Sequence, residues 1–304
     1  MTESERKTEM VASEKKSKGH ALVLPYPSQG HINPMLQFGK RIASHGRLAT
    51  AAITRFIVST TTPNAGHVAI ETISDGFDDA GFASNFLTNR TRAFTDNIYP
   101  ATNQILLQEM NWLASVRRAI TIGPTIPSVY LDNRIPDDHR YAIDLFRPET
   151  SACKSWIASL PPASAIFVSF GSMATLSAAQ FAELAFGLAA TNRPFLWVVR
   201  SSEKAKLPPG FPDSTVKKNG GMLVSWAPQL ELLASGKFGC FVTHCGWNST
   251  IEGLGLGVAM VGLPQWTDQC TDARLGEWKE ASRRAMDDGG SSDRNITELL
   301  DKFC

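Results

Sequence analysis

From residue 164 onward the chain alternates short apolar runs rich in β-branched and aromatic residues with helical stripes, which restricts it to parallel strands joined by crossover helices. The runs SAIFVSF, FLWVV, MLVSW, GCFVTH and VAMVGL read as strands. Between them a helix is predicted from Ser177, with Gln180 at the spacing of a capping box, and QLELLA and a stretch opening at Asn248 read as further helices. Upstream, residues 21–24, AAITRFIVS, HVAIETI and AITIGP are predicted as strands. After the first of these, PYPSQGHINP forms a turn, and Asn33 is expected to cap a helix with Pro34 at its first position. Met35, Leu36, Phe38 and Ile42 make the apolar stripe of that helix. The fold class is α/β, with parallel sheets.

Residues 1–19 mix both charge signs without an apolar run and read as a disordered tail rather than a secretory signal. Residues 124–150 are rich in Pro, Asp and Arg and weakly periodic, as a linker is. The predicted organisation is a first domain over 20–123, this linker, a second domain over 151–285 and a C-terminal helix within 286–304. With 30 Lys+Arg against 29 Asp+Glu, scattered along the chain, no field is built to hold a polyanion, so a nucleic-acid partner is not expected. Residues 253–264 are too short to span a bilayer and carry four glycines, so no membrane segment is expected. The five cysteines form no CxxC pair, which indicates neither a disulfide framework nor a metal site and fits a reducing, cytoplasmic compartment.

Ligands of open parallel sheets bind beyond the carboxyl ends of the strands. That rule selects Ser28, Gln29 and His31 in the first domain, and Gly171, Ser172, Trp226, His244, Gly246, Asn248, Ser249, Asp268 and Gln269 in the second. In THCGWNSTIE (243–252) a strand runs through Gly246 into a helix start. There backbone N–H groups, the helix dipole and the Asn248 and Ser249 side chains converge as a phosphate site would require. His244 adds a donor. Glu252, nearly one turn beyond Ser249, can accept two hydrogen bonds from vicinal hydroxyls such as those of a ribose, and Trp226 can stack on a base. Each residue alone also has an ordinary reading: helix caps for Asn248 and Ser249, core for Trp226, a solvated helix position for Glu252, a turn or core histidine for His31. Their order along the chain favours the joint reading. A nicotinamide site is excluded, because GLGLGVAMVG does not match G-x-G-x-x-G and follows a helix instead of opening one.

The segment from Trp226 to Gln269 resembles the signature box of the plant family 1 UDP-sugar-dependent glycosyltransferases; GHINPMLQFGKRIASHG, TIGPTIPSVYLDN and VSFGS resemble that family at further positions. The resemblance implies a GT-B architecture, two Rossmann-like domains facing across a cleft, with nucleotide sugar on the second and acceptor on the first. It implies that Trp226 stacks on uracil with Ala227 and Gln229 nearby, and that Ser172, His244, Asn248 and Ser249 hold the diphosphate. Glu252 would bind the ribose, Asp268 and Gln269 the sugar hydroxyls, and Gln269 with Trp247 implies a preference for glucose. His31 matches the general base for an inverting transfer to a small phenolic, flavonoid or hormone-like hydroxyl or carboxyl, a task suited to an imidazole. UDP-glucose is then a co-substrate, no cofactor or metal is required, and a cytoplasmic monomer is expected.

Two departures accompany the resemblance. The family's Asp that orients the base, in patterns such as YDSF or ADAF, has no counterpart; Asp96 lies in the right interval without a preceding strand. The first domain is also short for a Rossmann-like unit, and a second gap follows Gln269. The alternative reading is therefore a catalytically silent UDP-sugar-binding relic.

Overall fold

A computed structural model of the protein describes residues 19–74, 78–79, 122–265, 269 and 287–303. They form two parallel sheets. The first pairs β1 (His20–Val23), β2 (Leu48–Thr54) and β3 (Ala69–Ile73) in that order. The second has five strands in the order β6-β5-β4-β7-β8, formed by β4 (Ala165–Ser169), β5 (Phe195–Val198), β6 (Met222–Val224), β7 (Phe238–Thr243) and β8 (Met260–Gly262). The β4 and β5 side chains are buried throughout and alternate between two cores, as a parallel sheet covered on both faces requires. Val168 and Trp197 pack with Phe181 and Ala185 of one helix; Phe167 and Leu196 pack with Leu232 and Leu233 of another.

The helices are α1 (Gln29–Ser44), α2 (Arg55–Thr60), α3 (Thr150–Ala158), α4 (Ala178–Thr191), α5 (Gln229–Ala234), α6 (Trp247–Leu256) and α7 (Ser291–Phe303). At the start of α4, Ser177 and Gln180 make the reciprocal bonds of the capping box that their spacing predicts.

Local outcomes depart from the sequence reading in four places. In AAITRFIVS the strand stops at Thr54 and Arg55–Thr60 is helix α2. Its end is closed by Ser59, Thr60 and Thr61 hydroxyls donating to the Phe56 and Ile57 carbonyls, and Ile57 enters the core, which outweighs β-branched propensity. AITIGP lies partly outside the described residues, and 122–124 carry no strand; Pro124 has no N–H for a ladder. Helix α1 starts five residues before Pro34, capped at Ser28 rather than Asn33, because the chain turns at Ser28, whose carbonyl accepts His31 and Ile32 N–H. Helix α6 has Gly246 as its N-cap, so Asn248 and Ser249 stand within its first turn.

The buried face of α1 is strapped by the connecting segment. Asn33 exchanges two hydrogen bonds with the Ile143 backbone, and Gln29 Oε1 accepts Leu145 N–H. Asp138 accepts from Lys40 Nζ at 2.5 Å, from Gln37 and from Ser128 N–H. Arg41 is paired with Asp132, and Arg134 reaches Asp293 on α7, whose Ile296 is buried in the first domain's core. By contrast, Leu22 on β1 and Leu24 just after it are both 62% exposed, while Val23 between them is buried. The first sheet thus presents apolar surface where a second layer would cover a full Rossmann-like domain.

Candidate active site

The strand order of the second sheet reverses at β4, and the loops leaving β4 and β7 meet at that switch point. A cleft of about 1550 Å³ opens there, walled on one side by the first turns of α1 and on the other by these loops. His31, Ser172, Trp226, Ala227, Gln229 and His244 all line it. So do Trp247, Asn248, Ser249, Glu252 and Gln269. Asp268 lies outside the described residues, as does Asp96.

His244 directly follows β7, and its ring fills a slot made by two glycines. A Cβ on Gly246 would stand 2.3 Å from His244 Nε2, and one on Gly171 would stand 2.8 Å from Cε1. Cys245, between His244 and Gly246, is held at φ +59 although it is not glycine, a strained conformation of the kind that re-aims functional turns. Helix α6 departs from this turn, so its unsatisfied N-terminal N–H groups face the cleft beside the imidazole. On the β4 side the Ser172 loop is fixed by Arg200, whose guanidinium donates to the Ser172 and Ala174 carbonyls.

Gln229, at the start of α5, organises the next part of the wall: its Nε2 donates to Ser249 Oγ at 3.1 Å and to Glu252 Oε2 at 2.9 Å. Glu252 is only 4% exposed. Burial pushes its carboxyl up to about 7, against the opposing effect of the Gln229 donor. Tyr141, from the connecting segment, brings a buried hydroxyl toward the same carboxylate without closing a hydrogen bond of good geometry; burial and this neighbour hold the phenol well above its usual range. When ionised, this carboxylate is acceptor-only and can take hydrogen bonds from a pair of ligand hydroxyls. Trp226 lines the cleft, and its ring lies 4.5 Å between centroids from Phe146 at a 36° tilt, so protein packs against it from outside the cleft wall.

On the first-domain side His31 lies in the first turn of α1, exposed, with Tyr26 at 5.3 Å between ring centroids. Its Nδ1 is 2.8 Å from Ser28 Oγ. When Nδ1–H donates to that oxygen, Nε2 keeps a lone pair toward the cleft. The two domains touch at this point: Asn248 Nδ2 donates to Gly30 O at 3.0 Å. Pro34, Met35, Phe38 and Ile122 give this half an apolar wall. Among the described residues no three His, Cys, Asp or Glu side chains are grouped as metal ligands would be, and no helix is long and apolar enough to cross a membrane.

Sequence reasoning missed Tyr141, Phe146 and Arg200. The apolar triplet Tyr141-Ala142-Ile143 within a polar linker was the available signal for docking of that segment; Arg200 had none, since its role is to hold backbone carbonyls.

Comparison with known proteins finds relatives of both the sequence and the fold. The sequence profile described as UDP-glucoronosyl and UDP-glucosyl transferase matches residues 147–293. Crocetin glucosyltransferase 2 of Crocus sativus is 36% identical over 387 residues, covering 88% of this chain and 84% of that protein. Flavonol 7-O-beta-glucosyltransferase UGT74F1 of Arabidopsis thaliana is 30% identical over 447 residues, covering 95% and 99%. Both alignments are longer than this 304-residue chain, so both relatives carry internal segments that it lacks. Among solved structures, Os79 from O. sativa in complex with UDP superposes with a TM-score of 0.79 at 27% identity, covering 93% of this chain and all of that one. The architecture is GT-B, with two parallel sheets among the described residues.

Proposed function

From the premise that the chain belongs to the plant family 1 UDP-glycosyltransferases, we propose that it transfers glucose from UDP-glucose to a hydroxyl or carboxyl of a small, largely apolar acceptor, with inversion at the anomeric carbon. The observation that carries this reading is that His31 and the His244–Asn248–Glu252 constellation face each other across one cleft, joined at the Asn248–Gly30 bond.

In this reading Trp226 stacks on uracil beside Ala227, and Glu252 accepts the two ribose hydroxyls while Gln229 holds it in place. The α6 N–H groups, His244, Ser249, Asn248 and Ser172 take the diphosphate. Trp247, Asp268 and Gln269 face the glucose. His31 Nε2 takes the acceptor proton as the acceptor oxygen forms its bond to C1 of glucose. The bond from C1 to the diphosphate oxygen breaks on the opposite side, and the negative charge that collects on departing UDP is met by the helix start and His244. These donors do the work a metal does elsewhere, so no cofactor is invoked. The apolar wall at Met35, Phe38 and Ile122 favours a phenolic, flavonoid-like or hormone-like acceptor, in keeping with the relatives named for crocetin and a flavonol. The same reading has the chain act as a monomer in the cytoplasm, with Cys153, Cys240 and Cys245 as free thiols.

A second reading, binding of the nucleotide sugar without transfer, is favoured by one observation: the Nδ1 partner of His31 is a serine hydroxyl, which stabilises an imidazolium less than a carboxylate does. A transfer assay with UDP-glucose and a panel of phenolic and carboxylic acceptors separates the two. Product lost by about 10²–10⁴-fold in His31→Ala, with UDP-glucose binding retained, supports transfer. Binding without product in the parent protein supports the second reading.

A further inference from the structure

The first turn of α1 has an interrupted hydrogen-bond ladder that the second domain completes. In an α-helix each carbonyl accepts the N–H four residues on. For Gly30 that residue is Pro34, which has none, and whose ring crowds the carbonyl and tilts it outward. The donor comes from across the cleft, where Asn248 Nδ2 in the first turn of α6 reaches Gly30 O at 3.0 Å. His31 is the next residue, and its ring is tied to Ser28 in the same turn. The peptide linking Gly30 to His31 therefore sets where the imidazole stands, and that peptide is held by a side chain of the other domain.

We propose that Asn248 is a positioning residue for His31, and that Pro34 and Asn248 form a pair: the proline exposes the Gly30 carbonyl and the asparagine latches it to the donor-side helix. The positioning role rests on the transfer reading of this cleft; the latch itself does not. An amide nitrogen carries two hydrogens, so one can remain on Gly30 O while the other is given to a donor phosphate oxygen. One side chain then couples nucleotide-sugar binding to placement of the base.

Pro34→Ala separates the two duties. It returns an N–H to residue 34, draws the Gly30 carbonyl back into the helix and leaves the Asn248 side chain intact for phosphate. In the full chain, Pro34→Ala is expected to lower kcat about tenfold, the worth of one net hydrogen bond, while UDP-glucose Kd stays within about twofold. Asn248→Ala is expected to weaken both, and the double variant to lose no more kcat than Asn248→Ala alone. The latch has a signature independent of activity: in ¹⁵N–¹H spectra the Asn248 side-chain amide, assigned by its loss in Asn248→Ala, has one proton shifted by its carbonyl partner, and this shift collapses in Pro34→Ala. An unchanged amide pair in Pro34→Ala overturns the latch, whether or not the parent protein transfers glucose. A collapsed pair with unchanged kcat, or additive losses in the double variant, overturns the positioning role. Absence of transfer by the parent with the amide signature present counts against the transfer reading and, with it, the positioning role, but leaves the latch standing.

Discussion

Replacing Glu252 with Gln should make the protein more stable and less able to bind its nucleotide sugar, and both differences from the parent should widen as pH rises. The carboxyl is 4% exposed and burial raises it from 4.5 to about 7. A carboxyl whose folded pKa lies above its unfolded one favours the folded state below the unfolded value, and that contribution is lost as pH rises through the folded value. The distance from 4.5 to about 7 amounts to about 3 kcal/mol in full, lost at about 1.36 kcal/mol per pH unit between those limits. Glutamine has the same shape, keeps an oxygen for Gln229 Nε2 and never ionises. Between pH 5.5 and 8 the stability of Glu252→Gln relative to the parent, from urea titrations at each pH, should therefore grow by about 2 kcal/mol. Binding runs the other way. Two ribose hydroxyls need the ionised carboxylate, so UDP-glucose affinity in the parent should rise as pH rises through 7, with release of up to one proton per ligand bound. UDP-glucose is the better probe than UDP, because a terminal phosphate titrates near 6 and would add its own proton. The variant should bind about 10–100-fold more weakly, without proton release, by calorimetry in buffers of different ionisation enthalpy. A stability difference that does not change with pH, or a variant that binds UDP-glucose within twofold of the parent, would refute the reasoning.

Other substitutions test the packing that builds the site. Gly246→Ala would place a Cβ 2.3 Å from His244 Nε2, in a ring slot already closed on its other side by Gly171, so UDP-glucose affinity should drop by about tenfold or more in calorimetry. Gly187→Ala, within α4 and open to space, should instead raise stability by about 0.5–1 kcal/mol and leave binding unchanged. Asp138→Ala strands Lys40, whose side chain is 6% exposed, and should cost about 3–5 kcal/mol by denaturant titration; Lys40→Met in the same chain should recover much of it.

The donor half of the site was legible because its residues are close in sequence. From Trp226 to Gln269, strand, glycine turn and helix start follow one another, and the spacing alone put His244, Asn248, Ser249 and Glu252 on one wall. The acceptor half was legible only at His31. Tyr141 reaches the Glu252 carboxylate, Asp138 reaches Lys40 and Asn33 reaches Ile143 across roughly a hundred residues each, and no periodicity marks such pairs. The start of α1 was misplaced for a related reason. Local rules put a proline at the beginning of a helix, but here an outside donor satisfies the carbonyl that the proline disables, so the helix runs on ahead of it.

That same dependence explains how His31 is held toward the cleft. The described first sheet has three strands and leaves Leu22 and Leu24 uncovered, so the sheet alone is a weak platform for α1. Besides the packing of Ile32 and Leu36 on the sheet, the helix is held by Asn33, Gln37, Lys40 and Arg41 bound to residues of the connecting segment, and at its tip by Asn248. Arg134 extends the strap to Asp293, and Ile296 closes the core from α7. All of these partners come after residue 122 in the sequence. Among the described residues, the linker, the donor domain and the C-terminal helix thus all contribute to the placement of the base. Trimming α7 before Ile296 should accordingly reduce transfer and stability together, whereas Leu22→Thr and Leu24→Thr should improve solubility in a sedimentation assay and leave UDP-glucose binding untouched.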